Sequence, residues 1–345
     1  ANPPFSNKNW TSGINPEADE FGRFTWGIPP EKNGDYAFLL HIIKSLKSTG
    51  IGAVILPHGV LFRGNAEAHI RQNLIKQGYI KGIIGLPANL FYGTGIPACI
   101  IVIDKVSAAS RATGDSGLFM IDASRGYMKD GNKNRLRSQD IHKVVDIFNH
   151  QTELAGYSRM VSMDEVIDNE YNLNMPRYID ASVDEDQHDL VAHLQGGIPV
   201  ADIDALESYW HVFPSLRKTL FSDLRDGYRQ GRVSANKVKA TVLADPEFIQ
   251  FASQSLTPFS DWWTAINLAD IQQGDKAKDI IHRISEDLLQ RYANVALLYK
   301  YDIYQILMDY WSESMQDDIY AIAQDGWIVG KQLRKLIVAK GEKLK

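Results

Sequence analysis

Residues 53–56 read Ala53-Val54-Ile55-Leu56, with no polar residue among them, and Pro57-His58-Gly59 closes the run. So short an apolar run, bounded by turn residues, is the pattern of a strand buried on both faces, as in a parallel sheet. Its C-terminal end is where open α/β sheets place ligands. The flanking sequence alternates with it. Asp35 after Gly34 reads as the N-cap of a helix over 35–47, with Phe38, Leu39, Ile42, Ile43 and Leu46 as its buried stripe. Thr49-Gly50 breaks that helix, and a second one over 66–77 turns Ile70, Leu74 and Ile75 inward. Strands follow at 79–80 with 82–86, and at 98–104. About ten residues separate the last two, too few for a helical crossover, so an antiparallel pair is predicted. Residues 118–121 are a further strand that could join this sheet, and 141–148 look helical.

The chemistry-bearing stretch is Asn2-Pro3-Pro4-Phe5. Each proline fixes its own φ and pushes the residue before it out of the helical region, which leaves a stiff turn. In that turn the amide of Asn2 and the carbonyl of Pro3 can face one spot. Both are uncharged acceptors, suited to holding the two hydrogens of an exocyclic amine while its lone pair stays free. Phe5 offers a flat face for a base taken out of the stack. The same four residues also read as an ordinary extended linker, and the tetrad alone does not separate the two.

Three further blocks follow in order: Phe24-Thr25-Trp26-Gly27-Ile28-Pro29-Pro30, then 50–63 (GIGAVILPHGVLFR), then 83–97 (IIGLPANLFYGTGIP). With Asn2 to Phe5 they resemble the modification (M) subunit of type I restriction–modification systems, an adenine-N6 DNA methyltransferase family. The resemblance is strongest over 1–105 and recognisable to about residue 180. It implies an α/β fold, the C-terminal half of a class I methyltransferase (Rossmann-like) sheet, followed by an all-α C-terminal region. The implied divisions are 1–105 for that half-sheet, 106–180 for a sheet extension and basic loop, and 181–345 for helices that meet other subunits. Asn2, Pro3 and Phe5 become the expected catalytic residues, S-adenosylmethionine the methyl donor and DNA the substrate. The implied partners are a specificity (S) subunit that chooses the sequence, a second M subunit and a restriction (R) subunit. In the family a helical domain and the glycine-rich donor loop precede the tetrad. The chain is therefore expected to be the C-terminal part of a longer protein, inactive alone, with its main donor-binding residues unassigned. Asn-Pro-Pro-aromatic enzymes that methylate a glutamine amide share the acceptor geometry; the long helical tail and the match over 86–97 favour DNA.

Composition narrows the alternatives. A lone Cys99 inside an apolar run excludes an internal disulfide framework and fits burial and a reducing cytoplasm. No signal-peptide pattern opens the sequence, and no apolar run approaches the roughly 18 residues of a membrane span. None of the nine histidines, His58 and His69 included, belongs to a convincing metal-ligand spacing. Gly93-Thr94-Gly95 is turn chemistry rather than a cofactor loop. Residues 1–180 hold 19 Lys and Arg against 18 Asp and Glu, whereas 181–345 hold 18 against 24. The acidic part is the one more suited to meeting protein.

In the loop over 6–34, Trp10, Phe21, Phe24 and Trp26 either close over a flipped base or pack the loop down. Residues 106–117 are small and polar, a linker candidate, and 170–179 resemble the family's closing strand. Between 125 and 143 lie Arg125, Lys129, Lys133, Arg135 and Arg137, which suit DNA phosphates or form a merely solvated loop. Beyond 183 helices are expected over 183–194, 203–210, 216–230 and 245–254. A stripe from Ile280 to Tyr310 then suggests one or two long helices within 276–324, with a coiled-coil-like face. The competing function is a non-catalytic interaction module that binds a helical protein partner.

Overall fold

The structure is a computed structural model and describes residues 1–181 and 188–331. It divides into two compact units, Ala1–Asp184 and Glu185–Lys345. In the first, α1 (Asp35–Ser45) leads to β1 (Ile51–Pro57), a 3-10 turn (His58–Leu61), α2 (Asn65–Lys76), β2 (Ile80–Gly85) and β3 (Ala98–Asp104). Then come α3 (Ala108–Ala112), β4 (Leu118–Asp122), β5 (Met128–Asp130), β6 (Lys133–Arg135), α4 (Ser138–His150), β7 (Ser158–Val161) and α5 (Met163–Asp168).

The main sheet has five strands in the order β1-β3-β2-β4-β7. β3 runs antiparallel to β1 and β2, β4 lies parallel to β2, and β7 is antiparallel to β4. The expected β2–β3 pair is present. β1 is corrected in one respect: its partner strand is the antiparallel β3. Its other edge meets Ala1, whose terminal nitrogen donates to the Ala53 carbonyl at 2.6 Å. Ile55 N–H donates back to the Ala1 carbonyl at 2.9 Å, which is a parallel bridge. β1, β2 and β4 therefore point one way and end together at Pro57, Gly85 and Asp122.

Strand alternation sorts the core into two layers. Val54, Ile83, Ile101, Ile103, Leu118 and Met120 face α1 and α2, where Leu39, Leu40, Ile43, Ile70 and Leu74 meet them. Ile84, Val102, Phe119 and Ile121 face α4 through Ile147 and Phe148. Cys99 is buried on the α1 and α2 side, and burial pushes its thiol well above the usual range. The loop before α1 packs down: Trp10 and Phe24 join the core, while Phe21 stays exposed.

Two expectations in this unit are overturned. Residues 106–117 are no linker. They contain α3, whose Arg111 is buried and donates from Nε to the Gly78 carbonyl at 2.8 Å and from Nη2 to the Asp104 carbonyl. Residues 170–179 are no strand. Glu170 and Tyr171 have φ of +54° and +57°, and Met175–Arg177 is a 3-10 turn. Leu173 and Met175 plug the core from that turn, and the closing strand is β7.

The second unit comprises α6 (Leu190–Gln195), β8 (Ile198–Pro199), α7 (Val200–Asp204), α8 (Glu207–Val212), α9 (Leu216–Leu220), β9 (Phe221–Arg225) and β10 (Tyr228–Gly231). Six further elements follow: α10 (Ala235–Ala244), α11 (Pro246–Ser255), α12 (Thr257–Ala265), α13 (Ala277–Arg291), α14 (Lys300–Tyr310) and α15 (Gln316–Asp325). It is mainly helical, as expected. The helix read over 216–230 is corrected: only its first turn is helical, and β9 and β10 form a hairpin that pairs with β8. Asp226-Gly227 turns that hairpin, with Gly227 at φ +73°, and this turn signal prevails over the apolar spacing. The helix read over 203–210 is split between α7 and α8, and that over 183–194 lies partly outside the described residues. The long stripe resolves into α13 and a second helix, α14 to α15, joined through a π turn at Trp311–Met315. Ile284, Leu288, Tyr292 and Leu307 pack around Trp262, and Ile280 packs with Trp311 and Ile319. No described helix is long and apolar enough to cross a membrane.

Gly78 and Gly114 allow the docking of α3 to be measured. Both have positive φ, but a Cβ at Gly78 would lie 2.0 Å from the Ala108 carbonyl, whereas at Gly114 it meets nothing within 4 Å. Gly114→Ala should cost about 1–2 kcal/mol for the left-handed conformation alone. Gly78→Ala should cost clearly more, because α3 must also move. Urea denaturation of the two variants checks this, and equal losses would refute close packing at Gly78.

Candidate active site

The tetrad leaves the sheet edge directly after the Ala1 bridge, so it starts at the C-terminal end of β1. Asn2 is exposed, and among the described residues its amide has no hydrogen-bond partner. Pro3 is half-buried. Phe5 is half-buried on the α4 side of the sheet and meets Phe91 edge to face, with ring centroids 5.2 Å apart. The backbone then reverses at Ser6, whose φ is +50°.

A buried carboxylate fixes that reversal. Ser6 N–H donates to Asp35 Oδ1 at 2.6 Å, and Arg63 Nη1 donates to Asp35 Oδ2 at 2.8 Å. One residue on, the Asn7 carbonyl accepts from Gly34 N–H at 2.9 Å. Asp35 is fully buried. The N-cap assignment needs correcting here: Gly34 occupies that position and Asp35 is the first helical residue. Its carboxylate faces the tetrad turn instead of closing its own helix, while the helix N-terminus still favours its negative charge.

Arg63 is held from behind. Arg71 is buried and donates from Nη1 to the carbonyls of Val60 (3.1 Å) and Arg63 (3.0 Å). Tyr36 donates its hydroxyl to the same Val60 carbonyl at 2.7 Å, and burial pushes that hydroxyl's pKa up. Glu67 reaches Arg63 at 3.4 Å. Burial raises the Glu67 carboxyl above its ordinary range, Arg63 opposes this, and Asp35 adds to it. Two buried acids thus share one guanidinium, and Asp35 has the shorter contact.

His58 ends β1 and stacks edge-on against Phe62 at 5.9 Å. Burial lowers its pKa, and Asp122 at the end of β4 opposes that. His69 faces Asn73, with Nε2 at 3.1 Å from the amide nitrogen. Among the described residues no group of three or more His, Cys, Asp and Glu is placed to hold a metal ion.

The five basic candidates separate. Lys133 Nζ donates inward to the carbonyls of Phe91 (2.7 Å) and Thr94 (3.1 Å). Arg135 pairs with Asp130 at 3.3 Å and Arg137 with Asp140 at 2.9 Å. Lys129 lies 5.4 Å over the Tyr127 ring, and Arg125 has no ion pair among the described residues. Sequence reasoning missed Arg63, Phe91 and the inward role of Lys133. The order Leu90-Phe91-Tyr92-Gly93 hinted at an aromatic turn, but nothing local marks Lys133 as a backbone clamp.

The sequence profile of the N-6 DNA Methylase family matches residues 1–187. The type I restriction enzyme MpnII methylase subunit of Mycoplasma pneumoniae is 30% identical over 192 residues, 55% of this chain and 34% of that one. The MjaVII methylase subunit of Methanocaldococcus jannaschii is 29% identical over 204 residues, again 34% of its length. A crystal structure of a type I restriction-modification methyltransferase subunit from Streptococcus thermophilus is 37% identical, with 52% of this chain and 37% of that one covered and a TM-score of 0.46. The chain spans about a third of the length of these curated relatives. A matched profile over more than half its residues shows that the chain belongs to the N-6 DNA methylase family.

Proposed function

We propose that this chain is the part of a type I modification subunit that presents adenine N6 for methylation in DNA. One observation carries the reading. Among the described residues the Asn2 amide has no hydrogen-bond partner; with Pro3 it follows the Ala1 bridge toward the C-terminal end of β1, and the Phe5 ring comes next in a turn anchored by a buried carboxylate. The two oxygens accept the two N6 hydrogens, and the nitrogen lone pair is left to attack. The surplus proton leaves to water once the new bond has formed, so no side chain with a shifted pKa is required. Phe5 holds the extruded base by its face.

The donor in this reading is S-adenosylmethionine, which would supply an electrophilic methyl group and keep the sulfur–methyl bonding pair, leaving as the neutral thioether. In the first unit the described turns that lead from a strand into a helix, 57–65, 104–108, 135–138 and 161–163, hold no Gly-x-Gly run, so they offer the donor's nucleoside no site of that kind. What this chain contributes is therefore derived for the base alone. Arg125 and Lys129 remain the cations suited to DNA phosphates, since Lys133, Arg135 and Arg137 have partners of their own.

The second unit supports a partner reading. Phe259, Trp263, Ile306 and Tyr310 line an apolar groove of about 390 Å³ and are substantially exposed. The groove suits a helix of a specificity subunit, within an assembly that also holds a second modification subunit and a restriction subunit. It is also the observation that favours the non-catalytic module. Loss of methylation on mutation of Asn2 separates the two, since a module needs no tetrad.

Four outcomes test this reading in the full-length subunit with its partners. Asn2→Ala should abolish methylation with DNA binding nearly intact, and Phe5→Ala should weaken base capture by roughly 1–3 kcal/mol of stacking. Undiminished methylation by Asn2→Ala removes the tetrad from the chemistry. Asp35→Ala deletes the acceptor of the Ser6 amide, while Asp35→Asn keeps one. Both lose a charged hydrogen bond worth about 1.5–3 kcal/mol. Where both variants are folded by circular dichroism, Asp35→Asn should methylate faster, and equal rates show that the turn holds without its anchor. Ile306→Asp lies on the exposed groove wall, so its melting should change by no more than about 0.5 kcal/mol while co-purification with the specificity subunit is lost. An intact complex places that contact elsewhere.

A further inference from the structure

Resting on the methylation reading, we infer that Tyr92 is the side chain that enters the DNA stack where the target adenine leaves it, and that Lys133 and Asn134 hold it in position to do so. The loop that carries Tyr92 is closed on itself. Asn89, at φ +58°, donates its N–H to the Gly95 carbonyl at 3.3 Å, and Ile96 N–H donates to Thr94 Oγ1 at 3.1 Å. The β5–β6 hairpin then pins it from one side. Lys133 Nζ is shared between the carbonyls of Phe91 and Thr94 at 2.7 and 3.1 Å. Asn134 donates from Nδ2 to the Ala88 carbonyl at 2.7 Å and from its backbone to the Asn89 carbonyl at 2.9 Å.

Within this fixed loop, adjacent side chains go to opposite fates. Phe91 turns in and meets Phe5 edge to face. Tyr92 is 95% exposed, and the next residue, Gly93 at φ +81°, leaves open space beside it. A single exposed aromatic is ordinary on a protein surface. This one sits one residue from the ring that packs on the base-stacking Phe5, on a backbone held by four hydrogen bonds from one hairpin. Lys129, opposite Asn134 in that hairpin, has no carboxylate partner among the described residues. An exposed flat ring on a pinned loop, with a cation free of carboxylates on the hairpin that pins it, is the chemistry that recognises a nucleic-acid strand.

Extruding a base requires unstacking and unpairing it, a few kcal/mol that the enzyme must offset. Apolar side chains wedge between base steps in DNA-bending proteins, and a ring that fills the gap left by the adenine supplies the offset here. The Tyr92 ring suffices for this and its hydroxyl is not required. The contribution should vanish when the base is already unpaired.

That dependence is the test. The full-length subunit in its complete modification enzyme is given its own genomic site as two duplexes, one with the target adenine opposite thymine and one with it opposite an abasic position. Single-turnover methyl transfer is measured. Tyr92→Ala should be slowed roughly tenfold or more on the paired duplex and much less on the abasic one, where the unpairing step is relieved. Tyr92→Phe should match wild type on both. Because Tyr92 is exposed, the melting temperature of Tyr92→Ala should equal that of wild type, so a loss of rate is not a loss of folding. Equal slowing on the two duplexes, or no slowing on either, overturns the inference. Failure of the wild-type enzyme on both duplexes overturns the methylation reading itself, and this inference with it.

Discussion

The contact on which the candidate site depends is the hydrogen bond from the Ser6 amide to the buried Asp35 carboxylate. A carboxylate without solvent is stable only if its oxygens are used, and here one serves a backbone N–H and the other a guanidinium. The consequence is geometric. The chain is tied at Ala1 to β1 and at Ser6 to the start of α1, so the tetrad between them spans two rigid elements. Removal of either tie would leave the tetrad anchored on one side only. Arg63 is in turn fixed by the Val60 turn that Arg71 and Tyr36 hold. A buried residue outside the tetrad thus fixes the turn that the tetrad enters.

The sheet supplies the platform. Its three like-directed strands end on one side, where the His58 turn and the 123–135 hairpin both bond to the 86–97 loop, and Phe91 of that loop meets Phe5 of the tetrad. The loop and the hairpin are mutually dependent. Neither the glycine-rich loop nor a two-stranded ribbon is stable alone, and the Lys133 and Asn134 contacts join them. An ammonium group enclosed by carbonyls is a strong local constraint. It is the reason an apparently basic loop presents fewer free cations than its composition suggests.

In the second unit the balance is different. Among the described residues its hydrophobic clusters are small: one around Trp262 and Leu288, one around Trp311 and Ile319 that shares Ile281 and Met315 with the first, and one around Phe213 and Leu216. Large side chains remain outside them, Trp263 and Ile306 among them. Small clusters bury little apolar area each, and an apolar groove left in water favours association. The acidic balance of residues 181–345 is in keeping with a protein surface rather than a phosphate backbone as the neighbour.

By itself the sequence determined the alternation of elements in the first unit and the antiparallel pairing of residues 82–86 with 98–104, and it singled out the tetrad as the candidate site. These rest on local pattern: apolar runs, turn residues, and a proline pair that stiffens its own backbone. Tertiary structure decided what depends on distant partners. Asp35 looks like a helix cap in sequence and becomes a turn anchor, because Ser6 and Arg63 reach it across 29 and 28 residues. Lys133 looks like a phosphate contact and becomes a loop clamp, because the carbonyls it meets lie 42 and 39 residues earlier. Residues 216–230 carry helical spacing and a hairpin turn together, and the pairing of β10 with both β8 and β9 settles the choice. A short sequence window records what a residue prefers; which buried charge or open backbone group it must satisfy is known only once the chain has closed around it.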